Sequence, residues 1–261
     1  MRIFVAGECH QRNVFHLVDP SEFSEIAFEA EVVKALRCSH PGYLCGVFRG
    51  SFRLDHERRG ADLALIHKSL SHWFVIEVEI PSHSLDGHVL PQARCIRYGE
   101  PEPECATSLC NAFPQLDRPH AEALVRFVPR SVAVITNRFD ADWQAALRGL
   151  DVQLITVSVF RDSAGRVAHE IEGCLHVARE NLGFATYSAI DKSLRIAKSA
   201  AIPLGRIRIE DPFGVASLWT VRESDASLWI TKDVGDPALP HAEYLQMIRA
   251  FDGQITLRLP R

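Results

Sequence analysis

The sequence predicts an α/β fold: a mixed sheet flanked by helices, followed by a smaller β-rich C-terminal module. Three observations carry this. Over residues 20–160 the segments run in the order helix, three strands, helix, strand, helix, strand. The last two strands, Ser131–Thr136 and Val152–Phe160, are apolar runs joined by a helical segment, the pattern of a parallel pair in a sheet covered on both faces. Beyond that point the texture changes to short strands separated by turn signals. The expected division is 1–165 and 166–261.

In chain order, residues 1–18 alternate loosely around Ile3, Val5, Val14, Phe15 and Leu17, and read as a hairpin turning near Glu8–Arg12. Asp19-Pro20-Ser21 predicts a helix start, with Glu22 and Glu25 in its first turn. Its apolar stripe is Phe23, Ile26, Ala27, Ala30, Val33 and Leu36, which leaves Glu29 at the margin. His40-Pro41-Gly42 is a turn. Tyr43–Leu54 reads as a strand reaching Asp55. Arg49, Arg53, Arg58 and Arg59 cluster just before Asp62; they could hold a phosphate backbone, or form a solvated hairpin partly neutralised by Asp55 and Glu57.

The central stretch is Gly60–Tyr98. Leu63–Ile66 is an apolar strand that starts straight after Asp62, and His67–His72 is a turn. In Trp73–Ile80, Phe74, Ile76, Val78 and Ile80 alternate with Val75, Glu77 and Glu79, so the two carboxylates share a face. Pairing of the two strands would bring Asp62 beside them. Read alone, Glu77 and Glu79 also suit the solvated face of an ordinary strand. Three gathered carboxylates repel one another unless a cation neutralises them, and oxygen ligands suit Mg²⁺ or Mn²⁺. After the polar loop Pro81–His88, a helix should begin near Leu90 or Pro91, with Gln92 in its first turn. His83 and His88 could ligand a metal or touch phosphate, and Tyr98 reads as packed.

Gly99–Pro119, with four prolines, reads as an irregular loop over one mouth of the site. Cys95, Cys105, Cys110 and His120 offer a conceivable zinc set without the paired Cys-x-x-Cys spacing. Asp140 should cap a helix that stops at Gly149. Short strands are expected at Arg166–Ile171, Cys174–Val177, Leu194–Ile196, Gly205–Ile209, Ser217–Val221, Leu228–Thr231 and Gln254–Leu259, with a helix at His241–Phe251. About Asp191–Arg261 could close as a barrel. Trp219 and Trp229 could stack bases or fill its core.

The 261 residues are 47% hydrophobic and 24% charged, ordinary for a globular chain. No apolar run approaches the roughly 18 residues of a membrane span, and the N-terminus is too short for a signal-peptide core. Seven cysteines, an odd number, argue against a disulfide framework and for a reducing cytoplasm. A net charge of −4 argues against a protein that coats nucleic acid, but leaves room for a local basic groove.

Asp62, then Glu77 on the next strand, then Gln92 on the following helix resembles the core motif of the PD-(D/E)XK nuclease superfamily, across roughly residues 20–160. Glu79 stands where that family usually has a lysine, a position that is acidic in some of its restriction enzymes. The resemblance implies a restriction-endonuclease-like fold and a metal-dependent endonuclease hydrolysing phosphodiester bonds in DNA, in restriction or anti-phage defence. Asp62, Glu77, Glu79 and Gln92 would be catalytic. Glu29, Asp62 and Glu77 would hold Mg²⁺ or Mn²⁺, and Arg53, Arg58 and Arg59 would bind nucleic acid. Partners would be DNA, a further copy of the chain or a defence protein. The alternative is an inactive nuclease-fold module that binds nucleic acid or protein.

Overall fold

The structure, a computed structural model, describes residues 2–5, 14–177, 179–224, 226–237, 239, 244–250 and 252–259. It divides into two units: residues up to Arg126 together with Arg130–His176, and Phe127–Pro129 together with Val177–Arg261.

The first unit is mixed α/β. Its strands and helices are β1 (Arg2–Val5), β2 (Phe15–Leu17), α1 (Glu25–Ser39), β3 (Tyr43–Val47), β4 (Ser51–Leu54), β5 (Glu57–Gly60), β6 (Leu63–His67) and β7 (Trp73–Glu79). A single π-turn, Leu85–Val89, leads into α2 (Leu90–Tyr98). Then come β8 (Glu100–Pro101), α3 (Glu104–Ala112), α4 (Arg118–Phe127), β9 (Arg130–Thr136), α5 (Ala141–Gly149), β10 (Gln153–Asp162) and β11 (Val167–Glu172). The main sheet has the order β1-β11-β10-β9-β7-β6-β3, with β2 also paired to β10. β6 and β7 are antiparallel, while β7, β9 and β10 run parallel. The parallel pair joined by a helix is therefore as expected. Every position of β7 is buried, which requires cover on both faces of the sheet at its centre.

Several expectations are corrected. β1 pairs with β11 and β2 with β10, so the two do not pair as a hairpin; the turn expected at Glu8–Arg12 lies outside the described residues. Asp19 caps a 3₁₀ turn at Pro20–Glu22, and Ser24 caps α1, accepting from Ala27 N at 3.3 Å. The buried face of α1 is Phe28, Glu29, Val32, Ala35 and Leu36, while Ile26 is 79% exposed. A carboxylate on the core side breaks the apolar period, so the periodic reading selects the wrong stripe. The strand expected over Tyr43–Leu54 is two: β3 joins the main sheet, and β4 pairs with β5 and β8 in a separate three-stranded sheet. The expected loop Gly99–Pro119 contains α3 and the start of α4. Its prolines bound helices, Pro103 at the start of α3 and Pro114 just past its end, and Cys105, Ala106 and Leu109 of α3 are buried. The boundary lies at His176/Val177 and not at 165/166, because the turn at Asp162–Gly165 returns β11 onto β10 in the large sheet.

The second unit is a closed seven-stranded barrel among the described residues: β12 (Arg179–Ser188), β13 (Ser193–Ala197), β14 (Gly205–Glu210), β15 (Ala216–Glu223), β16 (Ser227–Lys232), β17 (Leu245–Ala250) and β18 (Ile255–Arg258), in the order β12-β13-β16-β15-β14-β18-β17. Closure leaves no free edge. β12 is absent from the expected elements, and Cys174–Val177 forms no strand. The expected helix at His241–Phe251 is β17 where it is described. Leu245 and Met247 point alternately into the barrel core and are fully buried, and β17 is paired on both edges. The irregular pairing in β12 needs Gly183, whose φ of 115° suits glycine. Trp219 is 1% exposed and lies in the core. Trp229 is half-buried, with the Arg195 guanidinium 4.5 Å from its ring centroid. Among the described residues, no helix is long and apolar enough to cross a membrane.

Candidate functional site

The site forms where β6 begins and β7 ends. The register pairs Leu63 with Ile76, so continuing it one step sets Asp62 opposite Glu77. Asp62 N donates to Ile76 O at 3.2 Å. Its carboxylate Oδ2 then accepts from Val78 N at 2.9 Å, in place of a ladder carbonyl. Like charges directly opposite on paired strands are destabilising, and here one of them is enclosed: Glu77 is 4% exposed. Burial first, then the charges of Asp62 and Glu79, raise the Glu77 pKa well above the ordinary carboxylate value. Gln92 of α2 donates to Glu77 Oε1, and to Gly60 O at 3.2 Å. Glu77 Oε2 is buried without a donor.

Glu29 is 6% exposed on the inner face of α1. Between it and Asp62 stands Arg49, from the segment linking β3 to β4. Arg49 Nη2 donates to Glu29 Oε2 at 2.7 Å and Oε1 at 2.9 Å, and Nη1 donates to Asp62 Oδ1 at 2.8 Å. Burial works against the Arg49 charge, but the Glu29 bond and the charges of Glu29, Asp62 and Glu77 outweigh it and raise its pKa. Of the three expected metal ligands, Asp62 and Glu77 sit opposite each other on the paired strands, and a guanidinium stands between Asp62 and Glu29.

Glu79 lies further along β7 and is 1% exposed. Burial, partly offset by a hydrogen bond with His83, pushes its pKa up to about 7. His83 Nδ1 bonds Glu79 Oε2, and His88 Nε2 lies 3.4 Å from Glu79 Oε1. Burial and then the neighbouring His83 lower the His88 pKa. Among the described residues, the grouping with converging ligand atoms is Glu79, His83 and His88.

The zinc set considered at Cys95–His120 does not converge. Cys95 and Cys105 are buried, with Sγ atoms donating to Phe52 O at 3.2 Å and Ser51 O at 3.0 Å, and His120 bonds Asp117 Oδ1 at 2.6 Å. The arginines expected to bind nucleic acid are paired with acids. Arg53 Nε donates to Glu102 Oε1 at 2.6 Å, Arg58 pairs with Glu104, and Arg59 Nη2 is 3.9 Å from Glu57. Tyr98 is 50% exposed and donates to Leu150 O at 3.0 Å. The inward turn of Arg49 is the feature that sequence reasoning missed: a guanidinium on an exposed link gives no signal of which acids it will meet.

Comparison of the chain with protein-family models, with curated proteins and with solved structures finds no match in any of the three.

Proposed function

We propose that the chain is a metal-dependent nuclease hydrolysing phosphodiester bonds in DNA on a restriction-endonuclease-like core. The observation that carries the reading is the Asp62–Glu77 pair, held together at the middle of the sheet with a Glu77 oxygen buried and without a donor. Such a pair is costly without a cation, and its donors are carboxylate oxygens, which fit Mg²⁺ or Mn²⁺. Asp62 and Glu77 would hold the ion, with Glu29 contributing once Arg49 turns away. Bound there, the ion would polarise a phosphate and favour ionisation of an attacking water.

The chain's own groups do the rest. Gln92 fixes the Glu77 carboxyl. Glu79, poised near neutrality, either accepts a proton from water or ligands a second ion. Arg49 swings from the acids to the scissile phosphate, supported by Arg53, Arg58 and Arg59 where DNA displaces their carboxylate partners. Restriction or anti-phage defence is the context the resemblance suggests.

A second reading, an inactive module of the same core that binds nucleic acid or protein, draws on one observation: the Arg49 fork already neutralises Glu29 and Asp62 without a metal. Plasmid DNA incubated with the purified chain and Mn²⁺ or Mg²⁺ separates the two. Nicking that chelation stops, and that Asp62→Ala and Glu77→Ala each abolish, supports the nuclease. Cleavage surviving both substitutions refutes the assignment, and absence of cleavage on DNA and RNA selects the inactive module.

A further inference from the structure

We propose that Glu79, His83 and His88 form a second metal site, suited to a zinc-class divalent ion and separate from the Asp62–Glu77 pair. One donor atom from each of the three lies within 4.8 Å of the other two. Glu79 Oε1 and His88 Nε2 are 3.4 Å apart; ligands about 2.0–2.1 Å from a tetrahedral zinc are themselves roughly 3.4 Å apart. Glu79 is 1% exposed, and its Oε1 has no hydrogen-bond donor, so a buried acceptor is aimed into the space the two imidazoles enclose. The rings are close, with centroids 4.6 Å apart.

An outer partner is present as well. His83 contacts Glu79 through Nδ1, while its Nε2 faces Glu25 Oε2 at 3.7 Å. A carboxylate on the far nitrogen is how metal-bound imidazoles are commonly oriented and made more basic. Two imidazoles and one carboxylate are a borderline donor set that favours zinc over Mg²⁺, and three protein ligands leave a fourth position open.

The local fold explains the convergence. Glu79 ends β7, His83 sits in the turn closed by its own N–H to Ile80 O at 3.0 Å, and His88 lies in the π-turn that Ser84 starts by accepting from Gly87 N at 3.2 Å. The bound ion would pin this turn, and the start of α2 that carries Gln92, to the end of β7. Glu79 then acts as a ligand and not as a base. The assignment rests on these side chains and not on DNA cleavage.

The test uses the full chain, freed of metal by chelation and titrated with Zn²⁺ alone by calorimetry, with Co²⁺ absorption as a second readout. The expected result is one tight equivalent, at least about 100-fold weaker in His83→Ala and His88→Ala and about 10-fold weaker in Glu25→Gln. Co²⁺ should give visible bands without the intense near-ultraviolet absorption of thiolate ligands. Asp62→Ala should bind the same equivalent, whether or not it cleaves DNA. Circular dichroism confirms that each variant is folded, and the three substitutions test the site independently. No binding by the wild type, unchanged affinity in folded His83→Ala and His88→Ala, a thiolate band, or loss of zinc from folded Asp62→Ala would each overturn the proposal.

Discussion

Replacing Glu77 with glutamine should make the metal-free protein more stable. The wild-type carboxyl is 4% exposed, faces the Asp62 carboxylate, and has one oxygen without a donor. In mildly alkaline buffer it must either carry a charge in the sheet interior or hold a proton far above its ordinary range. Glutamine has the same shape and no charge; it keeps the acceptor used by Gln92 and adds N–H groups that can reach Asp62. Relieving one unsatisfied buried polar group is worth about 1–3 kcal/mol. For a unit of this size that corresponds to about 2–12 °C in Tm. Urea and thermal unfolding in chelator near pH 8, followed by tryptophan fluorescence and circular dichroism, would measure it. Millimolar Mg²⁺ should then raise the wild type and leave Glu77→Gln unmoved, since only a binding-competent native state gains from ligand. A metal-free Glu77→Gln that is less stable than the wild type by about 1 kcal/mol or more would show that the carboxylate is well satisfied, and the argument for a cation there would fail.

Arg49→Ala leaves Glu29 and Asp62 without their shared cation, and should destabilise the metal-free protein by about 1–3 kcal/mol, with part of the loss restored by Mg²⁺; unfolding with and without the ion measures both. Because Glu79 is raised from 4.5 to about 7, the folded state keeps a proton the unfolded chain has lost between those values. Its contribution is therefore full below the lower value, falls as pH rises through the window, and is flat above, an effect on the order of 3 kcal/mol. Glu77 adds in the same direction, and Glu79→Gln should flatten the metal-free stability profile measured by urea melts across that range. Burial pushes the Cys45 thiol up to about 12 and Cys105 to about 11, whereas Cys38 and Cys174 are exposed. Alkylation of the native protein mapped by mass spectrometry should mark the exposed pair and spare the buried pair until denaturant is added.

By itself the sequence determined the elements whose signals are local. The alternation in Trp73–Glu79, the proline that opens α2, the Asp140 cap of α5 and the apolar strands on either side of it all appear where their residues point. The pairing of Asp62 with Glu77 was also legible, because two strands joined by a tight turn have little choice of partner. What only the tertiary structure decided are the contacts between segments remote in the chain. Glu29 faces inward against the apolar period because Arg49 meets it there. His83 and His88 close on Glu79 because a π-turn folds the loop back over the strand end. Leu245–Ala250 is a strand because β12 and β18 supply its hydrogen bonds on both edges. Periodicity reports the geometry of one segment, whereas these features are set by which other segment satisfies its buried polar groups.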